Sequence, residues 1–200
     1  NINVVKVGIT GGIGSGKTTV CKIFETLGIP IYYADVQAKS LMVSNKEVVE
    51  KIQSTFGIDT YFADGKLNRK YLADKVFQDK NLLQQLNAIV HPAVFLDTQQ
   101  WYQTHAKSPY TLYETAILYE SGSYKTMDKI ITVFAPLEDR ITRTMKRDNC
   151  TREEVLARVN KQMLEDEKMS KADFVVYNDH SQPVIAQVLT IHQHLISLAQ

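Results

Sequence analysis

The sequence predicts an α/β fold in which a parallel sheet carries helices on both faces. Short apolar runs alternate with helical patterns along the 200 residues, and this alternation is typical of parallel sheets. Residues 11–18 read Gly-Gly-Ile-Gly-Ser-Gly-Lys-Thr, which fits the phosphate-binding pattern G-x-x-x-x-G-K-[ST]. A polar, mostly helical stretch at 36–107 interrupts the alternation, so we expect a helical insertion between strands of the sheet.

The first element is a buried strand at residues 4–9 that leads directly into the glycine-rich loop. A helix follows, with apolar positions at helical spacing. Glycines let the backbone curl until its N–H groups point inward, which forms an anion site at the start of the helix. Lys17 is expected to reach the β- and γ-phosphates and the Thr18 hydroxyl to bind Mg²⁺. The motif therefore predicts the core of a P-loop NTPase that binds a nucleoside triphosphate.

A short second strand at 31–33 is followed by Asp35. Ligands of open α/β sheets bind beyond the carboxyl ends of the strands, so Asp35 is expected in the same crevice as the loop if the second strand lies near the first. There it could take a proton from an acceptor hydroxyl or help to hold Mg²⁺. The alternative is that Asp35 caps the helix predicted at 36–43, and the two roles are compatible.

The insertion contains two amphipathic helical patterns, at 68–78 and 80–105, with turn signals before them. Pro92 predicts a break in the second helix. Such an excursion from an α/β core is typical of a second-substrate domain. His91 alone decides little, because a single histidine in a helical segment is usually structural.

Two carboxylates lie near the end of the third strand, predicted at 110–113. Glu114 follows this strand directly, where it could contact Mg²⁺ or simply face solvent. Glu120 could touch a ligand, a helix terminus or solvent. A fourth strand is predicted at 129–134.

A helix that begins at Pro136 carries Arg140, Arg143 and Arg147 on one face. Guanidinium groups suit a phosphoryl transition state, because they stay charged and bind two oxygens at once. The alternative is a solvated face of mixed charge. A charged helix at 151–169 opens with the capping box Thr151 to Glu154, and residues 140–168 are predicted to form a lid. The strand at 174–177 and the helix at 182–199 close the chain.

Composition excludes several functions. The net charge of +1 argues against a general polyanion binder, and acids interleave with the arginines, so we expect no nucleic-acid partner. No apolar run is long enough for a membrane span, and the two cysteines suggest reduced thiols in a cytoplasmic protein. A GTPase would need Asn-Lys-x-Asp, but Asn160-Lys161-Gln162-Met163 lacks the final acid. A phosphotransferase remains the best interpretation of the triphosphate site.

Taken together, the motifs resemble one family, the dephospho-coenzyme A kinases, in order and over nearly the whole chain. The matching segments are Thr10–Thr18 (T-G-G-I-G-S-G-K-[ST]), Ala34-Asp35 (from D-A-D), Gly65–Arg69 (G-x-L-x-R), Leu86–Pro92 (L-N-x-x-x-H-P), Glu114–Glu120 (D-x-P-L-L-[FV]-E), Arg140–Arg147 (Q-x-x-R-x-x-x-R), Gln162, Ala172-Asp173 and Asn178. Three positions depart from the family pattern: Tyr33 replaces an acid, Ala116 a proline and Arg140 a glutamine. None of these departures removes a residue expected to bind phosphate.

The resemblance implies ATP-dependent phosphorylation of the ribose 3′-hydroxyl of dephospho-coenzyme A, which gives coenzyme A and ADP. The alternative is another small-molecule, nucleoside or nucleotide kinase of the same fold. Residues 1–35 and 108–200 would form the nucleotide-binding core and 36–107 the acceptor domain, in a monomer or weak homo-oligomer. The implied catalytic residues are Asp35, Lys17, Arg143 and Arg147. The expected ATP-binding residues are Gly12, Ile13, Gly14, Ser15, Gly16, Lys17, Thr18, Thr19 and Asn178. The expected acceptor-binding residues are Asp35, Leu67, Arg69, His91 and Glu120, and the expected Mg²⁺ ligands are Thr18 and Glu114.

Overall fold

The computed structural model describes residues 4–199, so residues 1–3 and 200 of the predicted core lie outside the described part. The chain divides into two compact units. One, here called the sheet unit, runs to Tyr32 and resumes at Thr104. The other, here called the helical unit, spans Tyr33–Gln103.

The sheet unit is built on a five-stranded parallel sheet. Its strands, in spatial order, are β2 (Ile31–Tyr33), β3 (Tyr110–Glu114), β1 (Val5–Thr10), β4 (Lys129–Phe134) and β5 (Phe174–Tyr177). The central strands are rich in branched apolar residues, and Val7, Ile9, Leu112 and Ile131 are fully buried. Burial on both faces is what a parallel sheet with helices on each side requires. The predicted α/β core is confirmed.

The strand order bears on the condition under which Asp35 was expected beside the loop. β2 is not a neighbour of β1, because β3 lies between them. β1 therefore has β3 on one side and β4 on the other, with Ile9 opposite Glu114 in β3 and opposite Ile131 in β4. This central place puts the end of β1 at the point where the chain direction across the sheet changes, the usual ligand site of such folds.

Five helices of the sheet unit are α1 (Lys17–Thr26), α6 (Leu137–Asp148), α7 (Arg152–Val159), α8 (Glu165–Lys171) and α9 (Val184–Leu198). α1 packs against α9, and both helices bury apolar residues, among them Val20, Phe24, Val188 and Leu195. The predicted capping box is present: the Thr151 side chain accepts from the Glu154 N–H, and the Glu154 carboxylate accepts from the Thr151 N–H. This box fixes the start of α7.

The charged stretch at 151–169 is not one helix, as its pattern suggested, but α7 and α8 separated by a turn at 160–164. The turn has tertiary partners that a continuous helix would not keep. The Gln162 side chain accepts a hydrogen bond from Ile13 N–H, and Met163 N–H donates to Glu120. Contacts distant in sequence therefore override the local helical pattern.

The helical unit contains α2 (Ala34–Ser44), α3 (Lys46–Phe56), α4 (Arg69–Gln78) and α5 (Lys80–Thr104), with a short 3₁₀ turn at Ile58–Thr60. Its core consists of buried apolar side chains from these elements: Val48, Ile52, Phe56, Tyr61, Leu72 and Val90. Two tyrosine hydroxyls at this core donate hydrogen bonds to backbone carbonyls, Tyr61 to Met42 and Tyr71 to Phe56. The unit therefore has a hydrophobic core of its own.

The predicted break at Pro92 is wrong, because α5 continues through this residue. A proline removes one backbone hydrogen bond, but the residues around it are held by packing. Val90 is buried in the core of the helical unit, and Ala93 and Val94 pack against that core. Tertiary contacts offset the lost hydrogen bond.

Among residues 4–199, every helix is too short or too polar to cross a membrane.

Candidate functional site

The phosphate loop connects β1 to α1 and is shaped by two glycines in the left-handed region. Gly14 has a φ of +77° and Gly16 a φ of +91°, conformations that L side chains rarely adopt. Gly16 also faces the Asn178 amide so closely that a Cβ atom would collide with it. Within the loop, the Ser15 N–H donates to the Gly12 carbonyl over 3.0 Å. The sequence motif is thus folded as a compact turn at the N-terminus of α1.

Lys17, the first residue of α1, is paired with a carboxylate from the neighbouring strand. Its Nζ lies 3.2 Å from Glu114 Oε1, and the two side chains are only 14% and 10% exposed. The pairing follows from the sheet register, because Glu114 ends β3 beside Ile9, just before the loop. Thr18 and Thr19 are exposed in the first turn of the helix. The structure therefore brings together Lys17, Thr18 and Glu114 at one end of the sheet.

Two arginines of α6 donate to carbonyl groups of the loop. Arg140 Nε donates to the Ile13 carbonyl over 3.0 Å, and Arg143 Nη1 donates to the Gly14 carbonyl over 3.4 Å. Arg143 also lies 3.9 Å from Asp139, and its side chain is one-third exposed. It combines a contact to the loop with access to solvent, as a residue that meets a phosphate must.

Arg140 differs from the open cation that its position on the helix suggested, since the residue is only 3% exposed. Its Nη1 lies 3.7 Å from Glu165 Oε1. Burial raises the pKa of the Glu165 carboxyl and lowers the pKa of Arg140, and the attraction between the two charges opposes both shifts. The geometry makes Arg140 a support of the loop from within the fold.

Arg147, further along the same face, contacts its neighbour Asp148 through two hydrogen bonds of 2.7 and 3.0 Å. Arg158 of α7 binds the same carboxylate over 2.7 Å. The two guanidinium groups hold the pKa of Asp148 well below its ordinary value. The Arg147 side chain remains 61% exposed. The structure thus separates three arginines of one helical face by burial, with Arg140 inside and Arg147 outside.

The loop has two further partners beyond α6. Gln162 Oε1 accepts from the Ile13 N–H over 3.0 Å, and Asn178 Nδ2 donates to the Ser15 carbonyl over 2.9 Å. Asn178 follows β5 directly, while Gln162 lies in the turn between α7 and α8. Both residues belong to the motifs that the sequence singled out, and the structure gives them backbone contacts on the loop.

Next to the loop lies a cavity of about 640 Å³. Its walls are mostly apolar and come from the loop, α1, α6, the segment between β5 and α9, and the start of α9: Gly16, Thr19, Val20, Ile23, Arg143, Asn178, Pro183, Val184 and Ile185. Pockets of this size, apolar with a few polar groups, are typical of small-ligand sites. The cavity and the phosphate loop share Gly16, so one extended ligand can occupy both.

Glu120, an expected acceptor-binding residue, has partners inside the sheet unit. Its Oε1 accepts from the Met163 N–H over 2.8 Å and lies 3.3 Å from Lys168 Nζ. Lys168 is fully buried and also donates to the Ala116 carbonyl. Burial alone would raise the pKa of the Glu120 carboxyl, but these partners together lower it. The contacts give Glu120 a structural role, and its role toward an acceptor stays a prediction.

The remaining candidates lie in the helical unit. Asp35 is the second residue of α2 and is exposed, while Arg69 begins α4 and His91 lies within α5, both exposed. Leu67 is half-buried against the core, and its backbone bridges to Tyr61. The Asn68 side chain caps α4 by accepting from the Tyr71 N–H. The polar candidates of this unit are therefore exposed side chains on helices that pack around an apolar core.

Sequence reasoning missed two charged residues of α8 that are largely buried, of which Glu165 lies against the loop. Glu165 and Lys168 belong to the charged run Glu165-Asp166-Glu167-Lys168, and neither stood out from its neighbours. Their partners Arg140 and Glu120 belong to other elements. The departure at Arg140 from the family glutamine was the available signal, because a new buried cation needs a nearby anion.

Comparisons with known proteins point to one family. The family model of dephospho-CoA kinase matches residues 5–183. The chain is 37% identical to the dephospho-CoA kinase of Bacteroides fragilis (strain YCH46), over 94% of this chain and 91% of that protein. It is 41% identical to the dephospho-CoA kinase of Salinibacter ruber, over 86% of this chain and 88% of that protein.

Solved structures give the same picture. TT1252 from Thermus thermophilus aligns with a TM-score of 0.85 at 34% identity, covering 96% of this chain and 97% of that one. The dephospho-CoA kinase from Campylobacter jejuni aligns with a TM-score of 0.73 at 28% identity, covering 98% of each chain.

Proposed function

The chain belongs to the dephospho-CoA kinase family, and from this premise we propose that it transfers the γ-phosphoryl group of ATP to the ribose 3′-hydroxyl of dephospho-coenzyme A. The products are coenzyme A and ADP, in the last step of coenzyme A biosynthesis. The observation that carries the proposal is a formed phosphate loop within a match of family motifs over nearly the whole chain. Another small-molecule or nucleotide kinase of this fold is not favoured.

ATP binds with its phosphates in the loop from Gly12 to Thr19 and its base in the adjoining cavity. The inward N–H groups and the dipole of α1 stabilise the phosphate charge. The cavity supports this arrangement, since it begins at Gly16 and continues along apolar side chains of α1 and α9. Asn178 holds the Ser15 carbonyl and lines the cavity, so it fixes the loop where base and phosphates meet.

Phosphoryl transfer depends on positioned positive charge more than on covalent chemistry by the protein. Lys17 and Arg143 lie at the loop, and Arg147 stands exposed on the same helix face as Arg143. These three cations stabilise the charge that spreads over the transferring group. Lys17 is oriented by Glu114 in the free protein and exchanges part of that attraction for the phosphates of ATP.

Asp35 acts as the base. The acceptor oxygen attacks the γ-phosphorus, its proton passes to the Asp35 carboxylate, and the bond to the ADP oxygen breaks. Asp35 is exposed in the first turn of α2, so its carboxylate is open to a ligand. Leu67, Arg69 and His91 of the helical unit, with Glu120, recognise the acceptor. These roles follow from the family motifs.

The donor set at the loop fits Mg²⁺. Thr18 offers an exposed hydroxyl and Glu114 a carboxylate, both hard oxygen ligands. Residues 4–199 contain no group of three or more His, Cys, Asp or Glu side chains placed to hold a metal ion. Mg²⁺ commonly keeps several waters and is held largely by substrate phosphates. When bound there, Mg²⁺ neutralises charge on the phosphates.

We place the reaction in the cytoplasm, with the protein as a monomer or weak homo-oligomer.

The test is an acceptor panel with ATP and Mg²⁺, in which release of ADP is measured against dephospho-coenzyme A, nucleosides and nucleotides. We expect turnover with dephospho-coenzyme A and a loss of about 10²-fold or more in kcat for Asp35→Asn, with the affinity for ATP retained. Asp74→Asn, an exposed residue of α4, is the matched control. Turnover at the native rate in Asp35→Asn would remove Asp35 as the base, and a preference for another acceptor would overturn the proposed function.

A further inference from the structure

The peptide groups of Ile13, in the middle of the phosphate loop, are held on both sides by side chains from outside the loop. The Ile13 N–H donates to Gln162, and the Ile13 carbonyl accepts from Arg140. A backbone N–H that is already bonded is not free to meet a phosphate. The two contacts therefore fix the two peptide planes that flank Ile13, one shared with Gly12 and one shared with Gly14, before any ligand arrives.

Arg140 is in turn held by Glu165 at the start of α8. The Glu165 side chain is only 13% exposed, and both of its carboxylate oxygens are fully buried without a hydrogen bond of good geometry in the described structure. Its positively charged neighbours are the Arg140 guanidinium at 3.7 Å and Lys168, and these charges together with the Gly12 N–H oppose the rise that burial causes in its pKa. A buried carboxylate so poorly solvated is unfavourable by itself. It lies directly against the Gly12 backbone of the loop.

The loop is fitted to this pair. A Cβ atom at position 12 would collide with the Arg140 guanidinium and with the Glu165 carboxylate. Gly12 is thus required by close approach and not by its backbone angles. The chain places two opposite charges against the Gly12 backbone, and Gln162 and Arg140 hold the two peptide groups that follow the Gly12 Cα.

We propose that Arg140, Gln162 and Glu165 form a clamp that positions the phosphate loop for the triphosphate, so that they are positioning residues for the reaction. The inference rests on the proposed function for its substrate. The clamp holds Ile13 from the side of α6 and from the turn between α7 and α8, so α6 and this turn set the shape of the loop. In catalysis, small displacements of a binding loop cause large losses.

The first experiment uses Gln162→Met, which keeps the length of the side chain, removes the acceptor for Ile13 N–H and changes no charge. We expect the Kd for ATP, measured by calorimetry on the full chain, and the KM for ATP to rise about tenfold. The KM for dephospho-coenzyme A is expected to stay within about twofold of the native value. A merely structural role would lower the active fraction and leave the KM for ATP unchanged.

The second experiment compares Glu165→Gln with Glu167→Gln. Both substitutions remove one negative charge from α8, but Glu167 is half-exposed and pairs only with Lys171 in the next turn. We expect Glu165→Gln to raise the Kd for ATP at least as much as Gln162→Met does. Glu167→Gln should bind ATP with the native Kd. Should Glu165→Gln fail to fold, Gln162→Met decides alone.

The proposal is overturned if folded Gln162→Met binds ATP with the native Kd, or if Glu167→Gln raises the Kd for ATP as much as Glu165→Gln does. The Kd for ATP does not depend on the acceptor. A native protein that binds ATP but ignores dephospho-coenzyme A would therefore contradict the proposed function and leave the clamp to be judged by the same Kd values.

Discussion

The sheet unit and the helical unit hold their candidate residues in opposite ways. In the sheet unit, charged and polar side chains are drawn inward onto backbone atoms of the phosphate loop or onto one another. In the helical unit, the interior is apolar, and Asp35, Arg69 and His91 are exposed. The first unit fixes most of its groups before ligand binding, with Thr18 and Arg147 as exposed exceptions, while the second leaves its groups open to a ligand.

The difference corresponds to two tasks. Stabilising charge in a transition state requires dipoles and cations that are already in place, because reorganising them during the reaction costs free energy. Recognising an acceptor requires side chains that have few fixed partners and can exchange water for ligand. Apart from Asp35, whose carboxylate is proposed as the base, we therefore expect damage in the sheet unit to change the rate and ATP binding, and damage in the helical unit to change the acceptor KM or stability.

The largest effect is expected from Lys17→Met. This variant removes the cation at the loop and leaves the Glu114 carboxylate buried without its partner at 3.2 Å. We expect kcat to fall by about 10³-fold, the range seen when a fixed electrostatic contact to a transition state is removed. Steady-state ADP release measures it.

Lys22→Met serves as the matched control, because Lys22 lies on the exposed side of the same helix. A kcat for Lys17→Met within tenfold of the native value, about 1.4 kcal/mol of barrier, would contradict the role of Lys17 at the phosphates.

The next effect concerns stability and falls on the helical unit. Ile52 of α3 is fully buried in its apolar core, and Ile52→Ala leaves a cavity there. We expect the free energy of unfolding to fall by about 2–5 kcal/mol in urea titrations, with the Kd for ATP native at 25 °C. Ile58→Ala, at a position that is 79% exposed, should stay within about 0.5 kcal/mol of native. Loss of ATP affinity in folded Ile52→Ala would break the comparison between the units.

How much of this the sequence predicts depends on the range of the interactions. The phosphate loop, the strands around it and the capping box of α7 are set by neighbouring residues, and these predictions are confirmed. The place of β3 between β1 and β2 depends on pairing between distant strands. Pro92 shows the same limit, since its local signal for a break is overridden by packing of Val90 and Val94.

The candidate site divides along the same line. The motif identifies Lys17, and the end of a strand identifies Glu114, but only the sheet register makes them a pair. Glu165 and Lys168 lie in a helix of mixed charge whose pattern marks a solvated face. Which of these charges is buried depends on Arg140 and on the turn before α8. The catalytic roles of Asp35, Arg143 and Arg147 stay predictions.

A smaller effect is expected on acidification. The pKa of the Glu120 carboxyl lies below its ordinary value of 4.5, because Met163 N–H and Lys168 outweigh the effect of burial. A lowered pKa in the folded state adds stability above the ordinary value, which is lost as the pH falls through the folded pKa. We expect the free energy of unfolding of Glu120→Gln to be about 1–2 kcal/mol lower than native at pH 7, a limited loss because glutamine still accepts a hydrogen bond. Below neutral pH, the free energy of unfolding of this variant should fall less steeply with pH than that of the native protein.

Urea titrations at a series of pH values from neutral into the acid range measure this difference. Glu47→Gln is the control in the helical unit: the pKa of Glu47 is also lowered, by its hydrogen bond to Lys51, but the pair is exposed. Its curve should follow the native one. An acid limb for Glu120→Gln as steep as the native limb would mean that the carboxylate adds nothing to the fold.

The smallest effect is expected for Arg69→Ala, because Arg69 is exposed at the start of α4 and its side chain is not part of the apolar core. An exposed charge pair is worth about 1 kcal/mol at most, which corresponds to about a fivefold rise in the KM for dephospho-coenzyme A. The rise should shrink with added salt, and Lys70→Ala, beside it on α4, should leave the KM unchanged. If Arg69→Ala instead lowered kcat by about 10²-fold with the acceptor KM unchanged, the lost interaction would be one made only in the transition state. A second exposed residue of the helical unit, besides Asp35, would then share in the chemistry, and the division of tasks between the two units would no longer hold.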